Sequence, residues 1–201
     1  KDRESTNKVA GQIFVFVTLL SIILSLLGLY FNRDILQLMG APVDIIDDAV
    51  SYLNIIFGGL SFMFIFFIFS ALLRGYGDTR TPMKMMVAST LLNIILDPAL
   101  IFGWSFFPEL GVAGAAYATV TSRALAGIVG VYILFKGKKG IVLSRDAMIP
   151  DLKIIKKIMS IGIPAAAEQS IIALGMTVLM GIVNTFGSVA VAAYGIGSRI
   201  L

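Results

Sequence analysis

Asp97 is a carboxylate inside an apolar run, Leu91-Leu92-Asn93-Ile94-Ile95-Leu96-Asp97-Pro98-Ala99-Leu100-Ile101-Phe102-Gly103, long enough to be most of a membrane span. A charge at the centre of a bilayer costs about 3 kcal/mol or more, so it survives only with a partner, a proton, an ion or a water-lined cavity. Pro98 follows directly and supplies no N–H, so the carbonyl of Ile94, one turn earlier, loses its helical partner. Asn93 lies four residues before Asp97 and shares its helix face, as does Thr90. Acid, amide and freed carbonyl therefore cluster within one turn. Such oxygen ligands suit a proton or a hard cation such as Na⁺. The competing readings are a structural hydrogen bond or an Arg123 pair for Asp97, and interhelical packing for Asn93.

Glu168 is the second acid in an apolar stretch. It follows Pro164 by one turn, and a proline kink there would present it to a cavity as a coupling or substrate residue. Gln169 reads as packing or local hydrogen bonding.

Those acids need helices that cross a membrane, and the composition supplies them. Of the 201 residues, 58% are hydrophobic and 14% charged, against roughly 45–50% and 25% in soluble domains. Mean hydropathy is +0.93. The net charge of +4 does not indicate nucleic acid, because the basic residues fall between apolar spans. Without Cys or His there are no disulfides, no thiolate or imidazole metal sites and no histidine proton relay.

Five spans read out at Val9–Phe31, Ala49–Leu73, Met83–Gly103, Gly111–Phe135 and Ile154–Val183, with a sixth starting near Ser188. Each approaches the ~20 residues a bilayer requires. Alternating segments of a β-barrel are absent, so the expected class is all-α and polytopic. Thirteen of the sixteen Lys and Arg residues precede the first span or lie at 74–84 and 136–157. The positive-inside rule then places the N-terminus in the cytoplasm. The basic cluster at 136–157 reads as a cytoplasmic linker obeying the insertion rule, with binding to anionic membrane lipid as the competing reading. The organisation expected is a first lobe over 1–135, a linker over 136–153 and the start of a second lobe over 154–201. The chain begins without Met and Arg199-Ile200-Leu201 stops mid-pattern, which reads as an internal piece of a larger protein.

Arg74-Gly75-Tyr76-Gly77-Asp78-Thr79-Arg80-Thr81-Pro82-Met83 joins two spans. Gly75 or Gly77 suits a left-handed helix end, and Thr81 suits an N-cap with Pro82 at the first helical position. No strand precedes the Gly-x-Gly and no Walker lysine follows, which argues against a phosphate loop.

This loop resembles the one between helices 4 and 5 of the multidrug and toxic compound extrusion (MATE) transporters. Asn93-Ile94-Ile95-Leu96-Asp97-Pro98 resembles their helix 5. Pro108-Glu109-Leu110-Gly111-Val112-Ala113-Gly114-Ala115-Ala116-Tyr117-Ala118-Thr119 resembles the start of helix 6, and Ile161-Gly162-Ile163-Pro164-Ala165-Ala166 the start of helix 7. The resemblance runs along the whole chain, from helix 3 into helix 8. It implies that helices 1, 2 and 9–12 belong to the remaining chain of a two-lobe, twelve-helix transporter of the cell membrane.

It also implies export of small amphipathic, often cationic compounds by alternating access in exchange for H⁺ or Na⁺, with no other cofactor. Asn93, Asp97 and Thr119 match polar positions of the family's first-lobe cavity; Arg74, Gly75, Gly77, Asp78, Pro82, Pro98 and Pro164 match its structural positions. Many members carry a helix 7 acid one turn beyond Glu168, where this chain has Ile172.

Depth along the helices agrees independently. Asp97 lies about 21 Å from Met83, so roughly 9 Å from the far edge of a ~30 Å core. Thr119 lies about 12 Å in from Gly111 and Arg123 about 18 Å. Thr119 is thus within a turn of Asp97 in depth, unless its hydroxyl bonds its own i−4 carbonyl. The small run Gly114-Ala115-Ala116 allows close helix approach.

Two alternatives compete. One is a flippase of the same superfamily moving lipid-linked oligosaccharides, which would favour a strongly basic cavity. The other is a membrane enzyme, for which the chain lacks His, Cys, an Asp-rich diphosphate motif and Gly-x-Ser-x-Gly. Phe57, Phe62, Phe64, Phe66, Phe67 and Phe69 are expected to face lipid for the most part.

Overall fold

The five apolar stretches become five long helices in the computed structural model, which describes residues 3–38, 45–104, 107–137, 140–144, 146–184 and 194–195. They are α1 (Arg3–Leu38), α2 (Ile46–Tyr76), α3 (Arg80–Ile101), α4 (Gly111–Lys136) and α5 (Leu152–Asn184), with a single 3₁₀ turn at Asp146–Met148 before α5. All five are long and apolar enough to cross a membrane, and no strand occurs among the described residues. Helix α1 overruns the Val9–Phe31 stretch at both ends, because polar flanking residues continue the backbone ladder without entering hydrocarbon. The sixth span expected from Ser188, together with Arg199, Lys138, Lys139 and Arg145, lies outside the described residues.

The chain divides into two compact units, Lys1–Asp151 and Leu152–Leu201. In the first, α2 packs against α1 and α4, α4 packs against α2 and α3, and the consecutive helices α2 and α3 barely touch. Small residues permit this. A Cβ added to Gly59 would come within 2.3 Å of Val120, and one on Gly130 within 2.6 Å of the Phe69 ring. Lipid is as apolar as leucine, so this close fit, rather than hydrophobicity, holds membrane helices together. Phe66 and Phe69 are buried in the core with Leu73, Ala126 and Leu134, which corrects the expectation of lipid-facing rings. Phe62 and Phe67 are exposed, and Phe57 and Phe64 are half-buried.

The loop between α2 and α3 is built as a helix stop and restart. Gly77 takes the left-handed conformation at φ 109° and donates its N–H to Leu73 and Arg74, while Asp78 N–H reaches Leu73 O at 2.9 Å. These three bonds close carbonyls that the helix end leaves open. The expected cap at Thr81 is replaced by Asp78, whose carboxylate accepts from Thr81 N–H at 3.0 Å and from the Thr81 hydroxyl at 2.6 Å. A carboxylate three residues before Thr81 satisfies an orphan donor and opposes the positive helix end. Pro82 is buried in the first turn of α3; Arg74 and Gly75 are exposed at the end of α2.

Residues 140–144 and 146–151 fold back onto the start of α1. The Gln12 side chain, 1% exposed, donates to the carbonyls of Ala147 at 2.9 Å and Ile149 at 2.5 Å, and accepts from Asp151 N–H at 2.9 Å. Asn7 accepts from Val142 N–H, and Gly11 lies so close that a Cβ would sit 2.3 Å from Ala147 O. The Lys8–Asp151 ion pair at 2.8 Å is half exposed and adds little. Gln12→Leu would leave two carbonyls and an N–H without partners. We predict a loss of about 3 kcal/mol, given 1–3 kcal/mol per orphaned buried group. It would appear as a lower melting temperature of the full-length protein in detergent; an unchanged melt would contradict it.

Candidate functional site

The site is built by the α3–α4 hairpin, whose turn fixes the register of the two helices. Gly103 is left-handed at φ 70°, and a Cβ there would lie 2.8 Å from Glu109 N. Trp104 N–H donates to Ala99 O at 2.9 Å and Leu110 N–H to Leu100 O at 3.0 Å. Gly114 packs directly on the end of α3, where a Cβ would come within 2.4 Å of Leu100 O. Pro98 sits inside α3 without ending it.

With the register set, α3 and α4 enclose a cavity of about 120 Å³. Ser89, Thr90 and Asn93 line it from α3, Thr119, Ser122 and Arg123 from α4, and Phe66 and Met86 supply apolar wall. Asn93 Nδ2 donates to Asp97 Oδ1 at 3.1 Å, so half-buried Asp97 joins the cavity through Asn93. The helix pair expected from the i, i+4 spacing is therefore present, and Thr119 faces the same cavity as Asn93. The Thr119 side chain makes no hydrogen bond among the described residues, to its i−4 carbonyl or otherwise. That back-bond belongs to Ser122, whose hydroxyl donates to Ala118 O at 2.5 Å. Ser89 crosses between the helices to donate to Ser122 O at 3.0 Å.

Asp97 and Arg123 form no ion pair among the described residues, which removes that alternative. The Arg123 guanidinium instead sits over the Phe67 ring, 5.8 Å from its centroid. Glu168 lies in the second unit, exposed on α5 one turn after Pro164, and Gln169 beside it is exposed as well. Ser89 and Ser122 escaped the sequence reading. Their signal was present, since Ser89, Asn93 and Asp97 follow at i, i+4 and i+8, and Thr119, Ser122 and Arg123 at i, i+3 and i+4.

Chemically, one carboxylate beside the cavity meets neutral oxygens inside it, with the Arg123 guanidinium also on its wall. Asn93 spends an N–H on Asp97 and keeps its carbonyl, and the Thr90 and Thr119 hydroxyls are uncommitted among the described residues. Asp97 is the group that can balance a positive charge here, and Arg123 shares the cavity wall without an ion pair to it among the described residues.

The MatE family model matches residues 1–99. The chain is 34% identical over its whole length to the probable multidrug resistance protein YoeA of Bacillus subtilis, of which it covers 44%. It is 38% identical over 78% of its length to the probable multidrug resistance protein NorM of Thermotoga maritima, covering 34% of that protein. Its structure matches that of a MOP superfamily transporter from Pyrococcus furiosus with a TM-score of 0.87 and 28% identity, over 99% of this chain and 44% of that one. The chain spans less than half the length of these relatives. From these matches, and from its five membrane-length helices, the chain belongs to the MATE family of multi-pass membrane transporters.

Proposed function

We propose that the protein to which this chain belongs exports small amphipathic, cationic compounds across the cell membrane, driven by inward movement of H⁺ or Na⁺. The observation that carries this reading is the Asn93–Asp97 pair, held at 3.1 Å beside a polar cavity within apolar helices. Asp97 carries the coupling cation, Asn93 orients the carboxylate and adds an oxygen, and Thr119 completes the near side from α4. Alternation between inward and outward access by rocking of two lobes is the general route for such sites. The basic residues at 74–84 and 136–157 support a cytoplasmic position for the N-terminal end of α1. Glu168 acts as a second acid for coupling or substrate on α5.

The test uses the full-length protein in proteoliposomes loaded with ethidium. An imposed pH or Na⁺ gradient is expected to drive ethidium movement at least about tenfold faster than in protein-free vesicles, a margin of roughly 1.4 kcal/mol in the barrier. Equal rates with and without a gradient would refute cation-coupled export.

A further inference from the structure

A second cavity, of about 630 Å³, lies between α1 and α2, away from the α3–α4 site. Val9 and Ile13 of α1 and Leu72 of α2 give it apolar walls, and Ile141 of the segment that folds back on α1 lines it as well. Ser5 and Thr6 line it at the start of α1, and Tyr76 at the end of α2. The apolar stretch of α1 begins at Val9 and that of α2 ends at Leu73. The cavity therefore straddles the membrane boundary, with hydroxyls at headgroup level and apolar walls running inward. Tyrosine is enriched at that level. Gly75 also lines the cavity, and a Cβ there would meet nothing within 4 Å, so this end is open. No charged side chain lines the cavity among the described residues. The charge lies around its mouth. Residues 1–8, 74–84 and 136–151 hold ten basic and five acidic residues, whereas 32–48 and 104–110, at the opposite end of the helices, hold one basic and five acidic. A basic rim of this kind attracts anionic headgroups. Lys8 is paired with Asp151, while Arg74, exposed on the same turn of α2 as Gly75 and Tyr76, makes no ion pair among the described residues.

We propose that this cavity seats one acyl chain of an anionic phospholipid, with Arg74 holding the lipid phosphate at the mouth. Its volume of about 630 Å³ falls within the ~300–1,000 Å³ of small-molecule sites. Uncharged walls accept hydrocarbon and leave selectivity to the mouth. A guanidinium edge meets two phosphate oxygens through parallel hydrogen bonds, which a neutral side chain cannot reproduce. A lipid seated there touches α1, α2 and Ile141 together. By binding the folded protein alone it stabilises that junction. Such a site is independent of export and of which leaflet the basic end meets.

Native mass spectrometry of the full-length protein in detergent tests this. Titration with phosphatidylglycerol, or with phosphatidylcholine of the same chains, gives a Kd for the tightest-bound lipid in each case. Phosphatidylglycerol is expected to bind more tightly and to raise the melting temperature. Arg74→Gln is expected to weaken phosphatidylglycerol about tenfold, as for loss of a charge-assisted contact, and to leave phosphatidylcholine unchanged. Lys84→Gln, an exposed cation on α3, is expected to change neither. Ala71→Trp places an indole in the cavity that Ala71 lines and is expected to weaken both lipids, and it decides the matter should Arg74→Gln not fold. Equal weakening of phosphatidylglycerol by Lys84→Gln would show a diffuse basic surface and overturn the site. So would an Ala71→Trp protein that binds phosphatidylglycerol as wild type does, or a wild-type protein that retains neither lipid.

Discussion

Asp97→Asn is expected to abolish gradient-driven transport by the full-length protein while leaving it folded. The substitution keeps the shape of the side chain and its reach to Asn93, so the 3.1 Å contact can persist as an amide pair. It removes the charge that balances a cation and the oxygen that accepts a proton. An interaction with a charged group is worth about 1.5–3 kcal/mol, so coupled flux should fall by roughly 10- to 100-fold. Stability should move the other way. A carboxylate on an apolar helix costs free energy, and its amide relieves that cost, a trade common at functional sites. The check is ethidium flux and melting temperature on the same preparation. Lost flux with a collapsed melt would indicate a structural role instead.

Gly114→Val is expected to lose both stability and transport. Its Cβ would lie 2.4 Å from Leu100 O, a backbone atom that cannot rotate away. The hairpin must open or slide, and overpacking of this kind costs about 1–3 kcal/mol. A slide also separates Thr119 from Asn93, which meet at the cavity only because the Trp104–Ala99 and Leu110–Leu100 backbone bonds hold the register of the hairpin. Gly58→Ala is the control. Nothing lies within 4 Å of its Cβ, and alanine is the better helix former by about 1 kcal/mol. Gly58→Ala should melt no lower than wild type and transport normally. A Gly114→Val protein that melts with wild type would show that the hairpin contact is slack.

The helices and the Asn93–Asp97 pair were legible because hydropathy and helical periodicity are local properties. A left-handed helix end at Gly75 or Gly77 was legible for the same reason, and the structure puts it at Gly77. The restart at Asp78 was harder to see, because Thr81, Thr79 and Asp78 can all cap and only the final geometry selects one. Gln12 gave no signal. Its three partners lie at residues 147–151, more than 130 positions away, and a polar residue at a helix start is ordinarily taken as a solvated flank. Phe66 and Phe69 were misjudged because lipid-facing and helix-facing rings have the same hydropathy in a membrane protein. The choice between Asp97 and Phe67 as the neighbour of Arg123 turned on helix rotation, which spacing alone leaves open.

Coupling through Asp97 is tested most directly by recording cation and dye together. Proteoliposomes of the full-length protein would carry an internal pH or Na⁺ reporter, with ethidium followed in the same vesicles. In the wild-type protein, ethidium movement should draw a matching cation flux. In Asp97→Asn, ethidium-dependent cation flux should fall to the level of protein-free vesicles. A variant that moves cation and ethidium in the wild-type ratio would contradict the assignment of the α3–α4 site as the cation carrier.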